Sequence, residues 1–276
     1  MSEQALIQDN SIQPSEQPKT EETSQKENAF FWNLYARCYD SVYHLMPYRK
    51  LLWDAYQALD LKPGMKVLDA GCGTGNFELF ISEKNPPPIE VKAVDFSPVM
   101  LSKAQNKCKH LDYINFKQAD LNQELEYPDD SFDRILNINT LYALRDPYFT
   151  LDEFARVLKP EGSMVVTSSK PDFRFSPIVR DHFKRVGNIW GIYRKAGVLL
   201  KTFTIFPTTG LGSGLLNTLV INRREQRGEY HSLSEEELAA IFSQNGQNKL
   251  RHFTIDSAFA DQNLFAIATR EIFEAM

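Results

Sequence analysis

The chain has 276 residues, of which 42% are hydrophobic and 24% are charged. These proportions are typical of globular proteins and exclude the collagen-like, coiled-coil and wholly disordered classes. The formal net charge of −5 argues against nucleic acid as a partner. Three cysteines are too few and too scattered for a disulfide framework or a zinc site, so we expect no metal and a reducing, cytoplasmic setting.

Residues 1–28 differ from the rest of the chain in composition. They are rich in Gln, Glu, Ser and Pro and carry six acidic and two basic residues, which predicts a disordered acidic tail. They contain no basic segment followed by an apolar core, so no secretory signal is predicted. The uncharged run 202–222 contains Pro207 and three glycines, whereas a membrane-spanning helix is more uniformly apolar.

From Phe30 onward the sequence alternates between helix and strand patterns. Apolar residues at helical spacing predict a helix over 48–61, which Pro63 and Gly64 end. Further helices are expected at 77–83, 99–108 and 148–159. Short apolar runs predict strands at 65–70, 89–95, 114–120, 132–139 and 163–169. Strands that alternate with helices predict a mostly parallel sheet with helices on both faces.

The last third of the chain departs from this alternation. Residues 171–230 show no regular strand–helix pair, and we predict an inserted cover or acceptor region there. Ser234 and Glu237 form a capping box that starts a helix, and 251–259 with 263–270 predict an antiparallel hairpin. The predicted parts are therefore an acidic tail (1–28), a core (29–170), the inserted region (171–230) and a C-terminal part (231–276) that completes a seven-stranded α/β sheet.

A glycine-rich turn carries the strongest chemical signal. It follows the first strand and reads Asp69-Ala-Gly-Cys-Gly-Thr-Gly75, and such glycines let a ligand approach backbone N–H groups closely. Polar residues also stand at the ends of the next three strands, namely Asp95, Asp120 and Asn137. Open α/β sheets bind ligands at the carboxyl ends of their parallel strands, so we expect these residues to share a site.

Two kinds of cofactor suit such a site. A dinucleotide fingerprint places its third glycine where Asn76 stands, which makes a nucleotide-dependent oxidoreductase the least favoured interpretation. The carboxylate of Asp69 beside the turn disfavours a pyrophosphate and suits a positively charged ligand. S-adenosylmethionine carries a sulfonium and an ammonium group, so the residues favour it.

The motif Asp-Ala-Gly-Cys-Gly-Thr-Gly resembles the first motif of class I S-adenosylmethionine-dependent methyltransferases. The segment from Trp32 to Asp40 resembles the aromatic N-terminal segment of the ubiquinone/menaquinone and small-molecule branch, and Arg156–Gly162 is similar to the family's turn before strand five. The resemblance implies a Rossmann-like fold and S-adenosylmethionine as cofactor, with Asp95 on its ribose and Asp120 at its adenine. The cofactor-binding residues implied are Tyr39, Asp69, Gly71, Cys72, Gly73, Asp95, Phe96, Asp120, Leu121 and Asn137.

The acceptor is indicated only as a class. Segment 174–227 places ten basic and two acidic residues around the uncharged run 202–222, which fits a solvated lid, an apolar pocket or an anionic membrane surface. We expect methyl transfer to a small hydrophobic acceptor, with peripheral membrane contact as an accompanying hypothesis. The alternatives are a membrane-associated lipid or quinone methyltransferase, a methyltransferase of a specialised metabolite, and a non-catalytic S-adenosylmethionine-binding protein. No side chain identifies itself as the catalytic base; His44 and His182 are the histidines considered.

Overall fold

The computed structural model describes residues 35–36, 39–189, 195–200, 225, 227–228, 230–244 and 250–271. The tail predicted over 1–28 and the uncharged run 202–222 lie outside these residues. Within the described ranges, no helix is both long enough and apolar enough to span a bilayer.

Seven strands form one sheet. They are β1 (Lys66–Ala70), β2 (Glu90–Asp95), β3 (Ile114–Gln118), β4 (Phe132–Ile138), β5 (Leu158–Ser169), β6 (Leu250–Ala258) and β7 (Asn263–Arg270). Their order is β3-β2-β1-β4-β5-β7-β6. The first five strands pair in parallel, while β7 pairs antiparallel with both β5 and β6. This arrangement confirms the predicted sheet and its C-terminal hairpin.

Helices connect the strands. They are α1 (Met46–Leu59), α2 (Asn76–Ser82), α3 (Pro98–Lys107), α4 (Pro147–Val157), α5 (Phe175–Gly187) and α6 (Glu235–Gln244), with short 3₁₀ helices at Asp40–His44 and Leu141–Ala143. Ser97 caps α3 by accepting the backbone N–H of Met100 at 3.3 Å. The predicted capping box of α6 forms reciprocally, with hydrogen bonds of 2.8 and 3.1 Å between Ser234 and Glu237.

An apolar core covers each face of the sheet. On one face Leu68 and Ile135 belong to the cluster that includes α4 and α6. On the other face Val67 and Leu136 belong to the cluster that includes α1, α2 and α5. Because successive strand residues point to opposite faces, β1 and β4 contribute to both clusters. The helices on both faces leave the carboxyl ends of the parallel strands as the edge at which a site can form.

Strand β5 begins earlier than the sequence pattern predicts. Leu158 already pairs with Phe132, and the register shifts before Ser163 pairs with Arg134. Glu161 within this irregular stretch has a positive φ of 61°. Helix α4 correspondingly ends before Leu158. The extension depends on pairing with β4, so a local pattern of residues does not reveal it.

Helix α5 lies in the region 171–230, where the sequence analysis set no element boundaries. Its buried side chains are Ile178, His182 and Val186. Nδ1 of His182 accepts the backbone N–H of Met46 at 3.0 Å, which fixes α5 to the start of α1. Burial lowers the pKa of His182. This histidine, considered above as a base, therefore serves as a contact between two helices.

Candidate active site

The glycine turn joins β1 to α2, and each glycine has a positive φ: 88° at Gly71, 56° at Gly73 and 76° at Gly75. L side chains rarely adopt this conformation. Space imposes a second requirement. A Cβ on Gly71 would lie 2.3 Å from Oγ1 of Thr140, and a Cβ on Gly75 would lie 3.1 Å from Cβ of Ala104 in α3. Contacts with the loop after β4 and with α3 therefore restrict two of the three positions to glycine.

Asp95 ends β2 and holds the turn from the side. Its Oδ2 accepts the backbone N–H of Gly73 at 2.9 Å, and its Oδ1 accepts that of Ser97 at 2.8 Å. Burial raises the pKa of Asp95 to about 6, although both hydrogen bonds act in the opposite direction. A carboxylate oxygen can accept two hydrogen bonds, and each oxygen of Asp95 accepts one from the backbone. The group therefore keeps capacity to accept hydrogen bonds from a ligand.

Three of the residues expected at the site lie beneath the turn. Asp69 is 2% exposed, Cys72 8% and Asn137 0%. The side-chain amide of Asn137 donates to the carbonyl oxygen of Ala70 at 2.6 Å. Asp69 neighbours the fully buried Glu78; burial raises the pKa of both carboxyls, and the charge of Glu78 raises that of Asp69 further. These side chains contact the turn from below instead of lining the cavity above it.

The chain at Tyr39 and Asp40, a short segment before α1, lies against the turn. Cε1 of Tyr39 is 3.6 Å from the position that a Cβ on Gly73 would take. The Tyr39 hydroxyl lies 3.5 Å from that of Tyr48, and its ring centroid is 5.2 Å from that of Tyr35. Burial, followed by the contact with Tyr48, raises the pKa of Tyr39. The Tyr39 ring thus covers the glycine backbone from the side opposite to Asp69.

Lys107 of α3 ties this segment to the turn. Its Nζ donates to Oδ1 of Asp40 at 2.6 Å, to Oδ1 of Asn76 at 2.7 Å and to Oγ1 of Thr74 at 3.2 Å. The hydroxyl of Thr74 donates to Asp40 at 2.5 Å. An ammonium group has three donors, and here they join α3 to two other segments of the chain, Asp40 and the end of the glycine turn with the start of α2. The position of Tyr39, next to Asp40, therefore depends on this contact.

A cavity of about 430 Å³ runs along the carboxyl edge of the sheet. The predicted site residues that line it are Tyr39, Gly71, Gly73, Asp95, Phe96, Asp120 and Leu121. Oδ1 of Asp120 accepts the backbone N–H and the side-chain amide of Asn122, at 3.0 and 2.7 Å. Apart from Tyr39, these residues lie at the carboxyl ends of β1, β2 and β3, which are neighbours in the sheet. They therefore form one end of the cavity.

The other end of the cavity comes from residues that the sequence motifs did not indicate. Aromatic rings of Tyr48, Phe173, Phe175 and Phe259 line it, with the centroids of Tyr48 and Phe259 6.0 Å apart. Polar residues also line the cavity beyond the turn, namely Asn139, Ser169, Glu225, His231, Ser232 and Asn263, while Thr140 lies against the turn itself. These residues belong to distant segments that only the folded sheet brings together. Two signals in the sequence pointed toward part of this end: the aromatic character of the segment before α1, and the acceptor region predicted over 171–230, which contains Phe173 and Phe175.

His231 is the one histidine among the described lining residues. Its backbone N–H donates to the carbonyl oxygen of Tyr142 at 2.8 Å. Its Nε2 lies 3.5 Å from Oε1 of Glu237, and its side chain is 61% exposed. No catalytic or binding motif surrounds this histidine in the sequence, so no local pattern indicates it.

Comparisons with known proteins agree with this geometry. Residues 61–237 match a family model described as a methyltransferase domain. The chain is 31% identical over 177 residues to a demethylmenaquinone methyltransferase of Bacillus velezensis, a match that covers 62% of this chain and 76% of that protein. It is 35% identical over 127 residues to phosphoethanolamine N-methyltransferase 3 of Arabidopsis thaliana, where the match covers 42% of this chain and 24% of that protein.

Solved structures with a similar fold also include methyltransferases. A methyltransferase dependent on S-adenosylmethionine from Aquifex aeolicus superposes with a TM-score of 0.51 at 19% identity, covering 83% of this chain and 90% of that one. The family model spans more than half of the present chain, from just before β1 into α6. The chain therefore belongs to the class I S-adenosylmethionine-dependent methyltransferases, and S-adenosylmethionine is its expected cofactor.

Proposed function

We propose that this methyltransferase transfers the methyl group of S-adenosylmethionine to a small hydrophobic acceptor. The observation that carries the proposal is the division of one cavity into two chemically different ends. Strand-end acids and glycine backbone come from the segments after β1, β2 and β3, whereas the rings of Phe173, Phe175 and Phe259 come from segments next to β5 and β7, further along the sheet. The two ends adjoin at the glycine turn, beside Tyr39 and Tyr48. A polar nucleoside and an apolar acceptor would each find a matching surface there.

The residues after β2 and β3 fit S-adenosylmethionine. Asp95 offers a half-buried carboxylate with remaining acceptor capacity, which suits ribose hydroxyls. Asp120 lies one strand further along, where an adenine would reach. The absence of a side chain on Gly73 leaves room between the turn and Tyr39. The residues that we assign to the cofactor are Tyr39, Gly71, Gly73, Asp95, Phe96, Asp120 and Leu121, with Asp69, Cys72 and Asn137 supporting the turn from below.

The chain's own residues have a limited chemical task. When bound, the cofactor supplies an already activated methyl group on a sulfonium. The protein must align the acceptor with that group and exclude water. The rings of Tyr39 and Tyr48 cover the turn and the adjoining part of the cavity, which serves both needs. Where the acceptor atom carries a proton, His231 is the lining histidine available to receive it.

The names of the relatives include two acceptors, demethylmenaquinone and phosphoethanolamine. A phosphate-bearing acceptor needs cationic side chains. Arg145 is the one arginine among the described lining residues, and its backbone N–H donates to Asn122, which follows β3. The described residues at the aromatic end include neither Lys nor Arg. The described lining therefore argues against a phosphate-bearing acceptor, while the aromatic rings suit an apolar one.

Turnover with methyl-labelled cofactor tests the proposal. We expect label to enter products of phenolic or hydroquinone acceptors that partition into organic solvent, and not phosphoethanolamine. Phe259→Asp should reduce this transfer at least about tenfold, because it places a charge among the rings, while the affinity for S-adenosylhomocysteine stays within about twofold. Phe149→Asp, on the exposed surface of α4, is the matched control. Cofactor binding without transfer to any acceptor would instead support a non-catalytic binding protein.

Methyl transfer at a membrane surface is a second candidate, and one feature of α5 favours it. Its solvent-facing side combines Arg180, Lys184 and Phe183, whose ring is 43% exposed. An exposed aromatic ring beside basic residues is typical of helices that lie on anionic membranes. Helix α5 directly follows Phe173, which lines the aromatic end of the cavity. A lipid-like acceptor would therefore have a short path from such a surface to the site.

A further inference from the structure

Two buried carboxyl groups lie together beneath the glycine turn. Asp69 comes two residues before Gly71 in β1, and Glu78 comes three residues after Gly75 in the first turn of α2. Asp69 is 2% exposed and Glu78 is 0% exposed. The two carboxyls share a side-chain hydrogen bond, and no other described side chain bonds to the oxygens of Glu78. Two carboxyls can share a hydrogen bond only through a proton, so such a pair under the cofactor turn calls for a reason.

The two groups cannot both be ionised at low cost. Burial raises the pKa of each, and the charge of Glu78 further raises that of Asp69. Adjacent buried carboxyls titrate as a pair, and the first proton to bind is held strongly. The ligand-free pair therefore keeps its shared proton to a higher pH than separate, exposed carboxyls would, and a nearby positive charge favours its second ionisation.

The surroundings of the pair offer little such charge. The titratable groups that face it are Asp95 from β2, Lys107 at the end of α3, Cys108 directly after it, Cys72 in the turn, Tyr48 from α1 and Tyr113 before β3. Lys107 is the cation of this set, and it already donates to Asp40, Thr74 and Asn76. Asp95 adds a further carboxylate on the other side of the turn. A cationic ligand above the turn would balance this field.

We propose that Glu78, acting with Asp69, makes the site prefer S-adenosylmethionine, whose sulfur is positively charged, over its neutral-sulfur product S-adenosylhomocysteine. A sulfonium above the turn stabilises the doubly ionised pair, so binding of the methyl donor releases the proton of the pair to solvent. Loss of the methyl group leaves a neutral sulfur, and the pair then takes a proton back from solvent. Glu78 is thus a positioning residue that weakens the hold on the product. This inference rests on the cofactor of the family and not on the identity of the acceptor.

Calorimetry in buffers of different ionisation enthalpy tests the proposal, since it counts the protons exchanged on binding. At about pH 7.5, where Asp95 is already largely ionised, we expect the wild-type protein to release more protons with S-adenosylmethionine than with S-adenosylhomocysteine. Glu78→Gln keeps the size of the side chain and removes its charge. In this variant the difference in proton release should vanish, and affinity for S-adenosylmethionine should fall about tenfold while affinity for S-adenosylhomocysteine changes less than about twofold.

Three controls keep the outcome decisive. An analogue with an ammonium group in place of the methylsulfonium should behave like S-adenosylmethionine without turnover. Asp69→Asn provides a reciprocal variant if Glu78→Gln fails to fold, and Asp112→Asn removes an exposed carboxylate that does not line the cavity. Equal proton release with both ligands in the wild type, or an equal loss of both affinities in Glu78→Gln, would overturn the proposal. No acceptor is present, so failure here is separate from failure of the hydrophobic-acceptor proposal.

Discussion

Among single residues, Asp95 has a raised pKa, near 6, that makes its charge accessible to experiment. Both of its oxygens accept backbone N–H groups, which favour the carboxylate, yet burial outweighs them and raises its pKa to about 6. An ordinary aspartate titrates about two pH units lower. The charge of a group that lines the cavity therefore changes within a pH range where the protein can be studied.

We predict that the affinity for S-adenosylhomocysteine weakens as the pH falls through about 6. The sign follows because the carboxylate accepts ribose hydroxyls, and protonation converts one acceptor oxygen into a donor. Asp95→Asn should bind about 1–3 kcal/mol more weakly at neutral pH and show a flat profile between about pH 5 and 8. Asp120→Asn should keep the wild-type pH dependence. Calorimetry across this range measures both, and a flat wild-type profile would exclude the assignment of Asp95 to the ribose.

At the scale of elements, the site depends on how the segment before α1 is attached to the turn. Lys107 joins Asp40, Thr74 and Asn76, which belong to the first 3₁₀ helix, the turn and α2. The Lys107 side chain is 19% exposed, so water only partly replaces its hydrogen bonds when it is removed. By contrast, Lys103 on the same helix lies 3.9 Å from Asp40 and is more exposed.

We predict that Lys107→Met destabilises the protein by about 1–3 kcal/mol, because it leaves buried acceptors without a donor. For a chain of this size the melting temperature should fall by roughly 2–4 °C per kcal/mol. Affinity for S-adenosylhomocysteine should also fall, since Tyr39 loses its anchor over Gly73. Thermal unfolding and calorimetry measure the two effects. Lys103→Met should leave the melting temperature and the affinity unchanged. If it lowers them as much as Lys107→Met does, the effect comes from losing a positive charge on α3 and not from the contact with Asp40, Thr74 and Asn76.

The elements that could be predicted from sequence are those whose signals are local. Strand runs, the capping box of Ser234 and Glu237, and the hairpin each depend on residues within one short window, and the structure contains all of them. The early start of β5 depends on pairing with β4, which no window contains. The same distinction holds for the site. Position at the end of a predicted strand was enough to indicate Asp95 and Asp120. Phe173 and Phe259 line one cavity only because β5, β7 and α5 adjoin in the fold.

The sequence also did not reveal whether the side chain of a strand-end residue faces the ligand or a covering helix. Asp69 and Asn137 stand next to last in their strands, so motif position placed them at the ligand-binding edge. Strand side chains project perpendicular to the sheet, and both of these are buried in the helix layers. Whether such a residue faces a ligand or a helix depends on what covers it. For Asp69 the neighbour is Glu78 of α2, which lies nine residues along the chain.

At the scale of the whole molecule, charge is distributed unevenly. The chain carries a net charge of −5, yet segment 174–227 contains ten basic residues and two acidic ones. Helix α5 exposes Arg180 and Lys184 from this segment. The segment also contributes Phe175 to the aromatic end of the cavity. Attraction to an anionic surface would therefore orient the cavity toward that surface even though the protein as a whole is acidic.

We predict that the protein sediments with vesicles containing an anionic phospholipid at low salt and is released as salt is raised, because screening weakens such contacts. Arg180→Glu combined with Lys184→Glu should reduce binding at least about tenfold, since each basic residue near such a surface contributes about 1 kcal/mol. The matched control reverses the charge of two exposed lysines, Lys62→Glu and Lys66→Glu. Lys66 begins β1 and Lys62 lies just before it, at the edge of the sheet opposite to the cavity. This control must leave binding intact. Equal loss in both variants would indicate only a response to net charge, and absence of sedimentation at low salt would leave an acceptor free in solution as the better hypothesis.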